Sequence, residues 1–185
     1  MSRFKVLKAN PRRTLAALAT VLVAVGITGA SGANFTATSA NPSNTFSAGT
    51  MSILNDKEGV AILTASGMKP GDPASKGEVS IKNTGSLPGA FSLSRGVIAD
   101  SDTTNRMSTK LNVIVSDCGV DLDCLVGPST NVYTGTLAAM NATIGLGTWA
   151  ANAEHRYEFS VAFDASADNL YQGDNSVVPF TWNAA

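Results

Sequence analysis

The sequence contains a single histidine, His155, among 185 residues, and this scarcity excludes the most common design of metalloprotease. A zinc protease of that design carries two histidines four residues apart on a helix, with a glutamate between them. Glu154 and Glu158 flank His155, but on a strand these two carboxylates share one face and the imidazole lies on the other. The pattern therefore favours a histidine at the surface or at the start of a strand over a catalytic one.

Other catalytic signatures are also missing. The sequence has no Gly-x-Ser-x-Gly segment of the kind that presents a hydrolase serine, and no glycine-rich loop that would hold phosphate groups. A Ser-His-Asp triad would have to pass through His155, and no pair of aspartates stands out as an acid and a base. We therefore favour a non-enzymatic protein and assign no catalytic residue.

Cysteine is nearly absent as well, with two residues only six positions apart, Cys118 and Cys124. In an exported chain two cysteines this close predict one disulfide across a tight loop, which the chain-entropy relation values at about 2.4 kcal/mol. Calcium is an alternative in the same loop, since Asp117, Asp121 and Asp123 offer oxygens at alternating positions. The loop lacks the glycine and the last glutamate of the twelve-residue calcium loop. We therefore predict no cofactor, with calcium or zinc as the weaker alternatives.

Basic residues are few and concentrated at the start of the chain. Five of the 13 Lys and Arg lie within the first 13 residues, whereas all 14 Asp and Glu come later. Beyond residue 33, eight Lys and Arg stand against 14 Asp and Glu, which gives a net charge of −6. A chain with this balance lacks the clustered positive charge that nucleic acid requires, so no nucleic-acid partner is predicted.

Residues 1–33 have the three parts of a secretory signal peptide. A cationic start is followed by an uncharged apolar run over residues 14–30, and the small residues Ser31, Gly32 and Ala33 follow. The run is 17 residues long, shorter than the ~20 that span a bilayer. We predict cleavage near Ala33 and a secreted protein that contacts the membrane only through its uncleaved leader. A retained N-terminal anchor is the alternative.

After residue 34 the dominant pattern is the alternation of a β-strand. Residues 155–164 show it best, because their apolar and polar side chains separate onto two faces: Tyr157, Phe159, Val161 and Phe163 against Arg156, Glu158 and Ser160. Shorter alternations recur over residues 79–81, 91–93, 111–115 and 178–182. Pro179 predicts a sheet edge for the last of these.

Turn signals separate these segments. Pro70-Gly71-Asp72 predicts a turn, residues 83–89 predict a short link between two strands, and residues 98–110 predict a loop or short helix. Many short strands with such turns are typical of an all-β fold, an antiparallel sandwich of the jelly-roll or immunoglobulin-like kind. We predict an extended N-terminal segment over 34–43 and a β-sandwich domain over 44–185. A weaker hypothesis is that Trp149 and Trp182 stack on a sugar.

Several short segments then follow in a distinctive order. The leader runs directly into Asn-Phe-Thr-Ala-Thr at 34–38, and Asn-Thr-Phe-Ser-Ala-Gly-Thr follows at 44–50. Pro-Gly-Asp at 70–72, Tyr-Gln-Gly at 171–173 and Phe-Thr-Trp at 180–182 come later. Together these segments resemble the TasA/camelysin family of exported bacterial proteins, and the resemblance covers nearly the whole chain.

This resemblance implies a jelly-roll-like β-sandwich that forms fibres in the extracellular matrix of a biofilm or on the cell surface. It also implies a dedicated signal peptidase as a partner during export, and self-association in which the freed N-terminal segment adds as a strand to the next subunit. The donor residues would be Asn34, Phe35, Thr36, Ala37 and Thr38, with Phe35 as the plug. The alternative is that residues 34–43 are a frayed terminus.

Camelysin-type members of the family are also catalogued as metalloendopeptidases. Neither the family nor this sequence supplies a standard zinc signature, so the label is an alternative and not the favoured prediction. A third hypothesis is a monomeric surface domain that binds a sugar or a protein partner.

Overall fold

The computed structural model describes residues 45, 47–119, 124 and 128–185, and the region from Ser47 to Ala185 forms one compact unit. The predicted signal peptide, and the segment 34–43 that follows it, lie outside the described residues. No helix in the described part of the chain is long and apolar enough to cross a membrane.

Ten strands account for the regular structure of the described residues. They are β1 Ile53–Asn55, β2 Ser75–Asn83, β3 Gly89–Arg95, β4 Ala99–Asp100, β5 Leu111–Asp117, β6 Thr130–Thr136, β7 Thr143–Trp149, β8 Glu154–Phe163, β9 Ser176–Val177 and β10 Phe180–Ala184. Three single 3-10 turns lie between them: Met107–Thr109, Leu137–Ala139 and Asn169–Tyr171.

The strands form three antiparallel sheets. The largest has the order β1-β2-β8-β5-β6, the second has the order β10-β3-β7, and β4 pairs with β9 in a two-stranded ribbon. Strand β8 is central in the largest sheet because both of its edges are paired, to β2 on one side and to β5 on the other. The prediction of an all-β antiparallel fold is confirmed.

Ring contacts show that the two larger sheets face each other. The ring centroids of Tyr157 in β8 and Trp182 in β10 lie 4.8 Å apart, and those of Phe159 and Phe180 lie 5.0 Å apart. These contacts join a strand of the first sheet to a strand of the second, so the apolar faces enclose a common core in a sandwich-like packing. The buried apolar residues of this core are Val79, Ile81, Phe91, Leu93, Leu111, Val113, Val115, Leu137, Met140, Ile144, Trp149, Tyr157, Phe159, Phe163 and Trp182.

The alternation predicted for residues 155–164 has the expected orientation. Tyr157, Phe159 and Phe163 are buried and Val161 is half-buried. On the opposite face Arg156 and Ser160 are half-buried, whereas Glu158 is buried and pairs with Lys76. The same holds for the shorter alternations in β2, β3 and β5, whose alternating apolar residues belong to the core: Val79, Ile81, Phe91, Leu93, Leu111, Val113 and Val115. Ile114, between two of these positions, is exposed. Burial of these large side chains is what selects one face of each strand for the interior.

The turns also follow the predictions. Gly71 takes a φ of +81°, which is accessible to glycine without steric cost, and its N–H donates to the carbonyl of Phe163. Residues 84–88 link β2 to β3 as expected, and β10 lies at a sheet edge after Pro179. Residues 98–110 hold the predicted short helix as a single 3-10 turn, and also the start of the ribbon, which the sequence pattern does not predict.

The antiparallel pairing shows which loops lie together at each end of the described domain. At one end, which we call the link end, the 84–88 link lies beside the end of β7 and the last residues of β10. At the other, which we call the ribbon end, the β4–β9 ribbon follows the last residue of β3 and precedes the first residue of β10. Strand β3 therefore runs from the link end to the ribbon end.

Candidate functional site

The predicted donor residues lie outside the described part of the chain: Asn34, Phe35, Thr36, Ala37 and Thr38. The path of the chain just after them is described, and it lies at the link end. The carbonyl of Thr50 accepts from the N–H groups of Ser86 and Leu87, at 2.9 and 3.3 Å, and the Thr50 N–H donates to the Ser86 hydroxyl at 2.9 Å. The chain therefore joins the described domain at the link end.

Gly85 allows this close approach of residues 50–52 to the link. A Cβ atom at Gly85 would overlap the carbonyl oxygen of Thr50 and would lie 2.9 Å from the Ser52 nitrogen. Both obstacles are backbone atoms, so a side chain here would displace the incoming segment.

Asn83 holds the link in place from inside the domain, where its side chain is fully buried. Its amide nitrogen donates to the carbonyls of Leu87 and Ala150, at 2.9 and 3.1 Å, and its amide oxygen accepts from the Gly85 N–H at 3.0 Å. One side chain thus joins the two loops of the link end, and each of these buried polar groups has a partner.

His155 lies on the inner side of the link end. Its ring stacks on Trp149 with 4.3 Å between ring centroids, and Trp149 stacks in turn on Phe91 at 4.0 Å. The sequence-based expectation of a strand-start position is confirmed, because His155 is the second residue of β8. Of the two positions expected, the strand start is therefore the one found, and the ring is half-buried. Apolar stacking on Trp149 explains the inward position.

Asp117, at the end of β5, is the polar centre of this region. Its carboxylate accepts from the Gly119 N–H at 2.8 Å, lies 3.0 Å from Nδ1 of His155, and accepts from the Tyr157 hydroxyl at 3.1 Å. Burial raises the pKa of Tyr157 far above its usual range, and the negative charge of Asp117 and the hydrogen bond to it raise this pKa further. At neutral pH the Tyr157 hydroxyl therefore keeps its proton and donates it in a hydrogen bond to Asp117.

The predicted disulfide is present directly after this aspartate. Cys118 and Cys124 are bonded, with their Cα atoms 5.0 Å apart. Cys118 is buried, and its N–H donates to the carbonyl of Arg156 at 2.8 Å, so the bridge is anchored to β8. Two of the three proposed calcium ligands, Asp121 and Asp123, lie outside the described residues. Within the described ranges no three His, Cys, Asp or Glu side chains come together as a metal site.

Both tryptophans proposed as a sugar platform are part of the core. Trp149 is 3% exposed and Trp182 is 9% exposed. Neither can present its ring to a ligand, so the hypothesis that these two residues stack on a sugar is wrong. Their position follows from the burial of large aromatic surfaces between two sheets.

The two kinds of strand in the described sheets differ in charge. Three cross-strand ion pairs connect the inner strands β2 and β8: Lys76 with Glu158, Arg156 with Glu78 and Lys82 with Glu154. The edge strands β6, β7 and β10 contain no charged residue. Each of these three has a paired strand on one side only. This is the reverse of the usual protection, in which charged side chains blunt the edges of a sheet.

Sequence patterns do not predict β6 and β7. In β6 the apolar residues Val132 and Tyr133 are adjacent, and in β7 glycines occupy two of the positions that would show alternation, Gly145 and Gly147. The polar contacts of Asn83 and Asp117 are likewise not predicted, because their partners lie on other strands and loops. The absence of charge and the recurrence of Thr and Gly in both segments is the one signal that could have identified them as edges.

Comparison with known proteins adds no relative. No protein-family model matches the chain, and no curated protein matches it. The resemblance to the TasA/camelysin family therefore stays a prediction from the short segments quoted above.

Proposed function

We propose that this protein is a secreted structural subunit of an extracellular matrix or cell-surface fibre, and that its N-terminal segment, residues 34–43, adds as a strand to a second copy. The observation that carries the proposal is the set of uncharged edge strands. Strands β6, β7 and β10 are five to seven residues long, each has one paired side, and none carries a charge.

Edge strands favour association because their backbone N–H and C=O groups can pair with an added strand. Monomeric β-proteins usually prevent such pairing by placing Lys, Glu or Pro along the edge. Here the charges of the largest sheet lie on its inner strands β2, β8 and β5, where both neighbours are already in place. This distribution leaves addition at the edges unopposed.

The proposed donor has a composition that suits this role. Residues 34–43 contain no charged residue, and Phe35 supplies a large apolar side chain. An extended segment of this kind gains main-chain hydrogen bonds along the acceptor and places alternate side chains against it. The segment would become a free terminus only after signal peptidase cuts near residue 33, so export would control assembly.

The remaining features of the proposal come from the sequence. They are a cleavable leader over residues 1–33, a jelly-roll arrangement of the sandwich, and membership in the TasA/camelysin family. The described strands are compatible with an exported β-domain, and the bonded cysteines suit an oxidising compartment.

Electron microscopy of purified chains tests the proposal. Residues 34–185 are expected to form filaments, whereas residues 45–185 are expected to remain dispersed at the same concentration. A matched control replaces residues 34–43 with a Gly-Ser segment of equal length, which keeps the length of the terminus and removes its side chains. Dispersed monomers from residues 34–185 at every concentration would contradict the proposal, and so would filaments from residues 45–185.

A further inference from the structure

The β4–β9 ribbon exposes an apolar face. Ala99 lies opposite Val177, and the pairing extends outward because the Gly96 N–H donates to the carbonyl of Pro179 at 2.8 Å. Side chains alternate between the two faces of such a ribbon. The exposed face therefore carries Val97, Ala99, Val177 and Pro179, while residues 98, 100, 176 and 178 are half-buried beneath it.

The two valines of this face are among the most exposed large apolar side chains of the described domain. Val97 is 84% exposed and Val177 is 63% exposed. Among the other edge strands, β6, β7 and β10 expose only threonine, asparagine and glycine, whereas β1 exposes Leu54. The ribbon is thus the sheet edge in the described domain that combines unpaired strand sides with exposed valines, and exposed apolar surface of this kind indicates an interaction site.

The ribbon and the start of the described domain lie at opposite ends of β3. Gly89 begins β3 next to the link that holds Thr50, and Arg95 ends it just before the ribbon. Seven residues of strand correspond to about 20 Å. A segment that precedes Thr50 therefore leaves one copy at the link end, whereas the ribbon lies at the other end of β3.

We infer that the ribbon face is the docking surface for residues 34–43 of a second copy. This inference rests on the proposed function, which leaves the acceptor open among the sheet edges, and it places the acceptor on the ribbon rather than on β6, β7 or β10. The segment has ten uncharged residues outside the described domain, and on a strand Phe35 and Ala37 share one face. Placing that face on Val97 and Val177 buries apolar surface on both sides and removes no charge from water.

The positions of the two surfaces also determine the kind of assembly. Donor and acceptor are different surfaces at opposite ends of the same domain, so the contact between copies is heterologous. Each copy that donates its segment at one end still presents a free ribbon at the other. Such a contact repeats without closing and produces a filament.

Paired variants of residues 34–185 test the docking surface. Val97→Thr with Val177→Thr keeps the β-branched shape and adds two hydroxyls to the face. We expect the critical concentration for assembly, measured by light scattering, to rise about tenfold or more. Val60→Thr is the matched control, because Val60 is 64% exposed on the bend between β1 and β2 and belongs to neither strand of the ribbon, and it should leave the critical concentration unchanged. Circular dichroism confirms that each variant is folded.

A mixing experiment gives a second and sharper result. The ribbon variant keeps its donor segment, and the chain with the Gly-Ser replacement of residues 34–43 keeps its ribbon. Below the raised critical concentration of the ribbon variant, each alone should remain monomeric, and an equimolar mixture should form a one-to-one dimer that grows no further, as seen by analytical ultracentrifugation. Added in small amounts to the unmodified chain, either variant should shorten the filaments.

The outcomes separate the docking inference from the proposed function. If the ribbon variant assembles like the unmodified chain while the Gly-Ser chain does not, strand donation stands and the ribbon is not the acceptor. If a mixture of the two variants yields only monomers, the ribbon inference is also overturned. If the unmodified chain is itself a monomer at all concentrations, with its own segment on its own ribbon or free, both proposals fail.

Discussion

The link end and the ribbon end of the described domain are built on different principles. At the link end a fully buried Asn83 joins two loops, and Asp117 accepts hydrogen bonds from several partners beneath a stack of aromatic rings. At the ribbon end two valines are exposed, and Asp174 Oδ2 and Ser176 Oγ are buried without a hydrogen-bond partner. The link end also exposes Met51 and Leu87, so the two ends differ most in their buried polar groups, which have partners around Asn83 and lack them at Asp174 and Ser176.

The largest expected difference between the two ends concerns side-chain burial. Trp149→Ala at the link end should lower the free energy of unfolding by about 3–5 kcal/mol, because it removes a buried ring and leaves a cavity between Phe91 and His155. Val97→Thr at the ribbon end should change the same quantity by no more than about 0.5 kcal/mol. Denaturant titration of both variants measures this difference. Equal losses of unfolding free energy at Trp149 and Val97 would contradict the difference in burial between the two ends.

The buried asparagine should give the next largest effect. Asn83→Ala leaves the carbonyls of Leu87 and Ala150 and the N–H of Gly85 without their partner. We expect a loss of about 2–3 kcal/mol in the free energy of unfolding. Asn183→Ala is the matched control, because the exposed Asn183 makes one hydrogen bond, to Ser94, and its loss should cost about 0.5 kcal/mol or less. A similar cost at both positions would contradict the special role of the link.

The smallest expected effect is a dependence on alkaline pH. Tyr157 has a pKa raised above the usual value of 10.0, so the unfolded chain loses this proton first as the pH rises. The stability that Tyr157 contributes is therefore complete below about pH 10 and falls as the pH rises further. In Tyr157→Phe the free energy of unfolding should depend less steeply on pH in that range. Parallel curves for the two proteins would show that Tyr157 ionises freely in the folded state.

Much of the fold follows from local patterns. Residues 155–164 alternate so regularly that the inner and outer faces of β8 are predictable, and Gly71 and the 83–89 link mark turns by their composition. The Cys118–Cys124 bridge is predictable too, since a spacing of six residues brings two cysteines within reach of each other. Each of these predictions depends on neighbours within a few positions.

The candidate surfaces are harder to predict because their properties come from distant residues. Val97 and Val177 are 80 positions apart, and only the pairing of β4 with β9 joins them into one face. Two glutamates lie close to His155 in the sequence and suggest a surface position. The imidazole ring is nevertheless half-buried, because it stacks on Trp149 of the second sheet. Strands β6 and β7 carry too few alternating apolar residues to be predicted, and pairing with β5 and β3 makes them strands.

The sequence by itself determined that this protein is an all-β domain with one local disulfide, because alternation, turn residues and cysteine spacing act over short distances. It also determined the absence of charge in β6, β7 and β10. Only the tertiary structure decided that these uncharged strands lie at sheet edges, and that the exposed valines lie at the end opposite Thr50. The physical reason is that strand order and register depend on hydrogen bonds and packing between segments far apart in the chain, which no local pattern encodes.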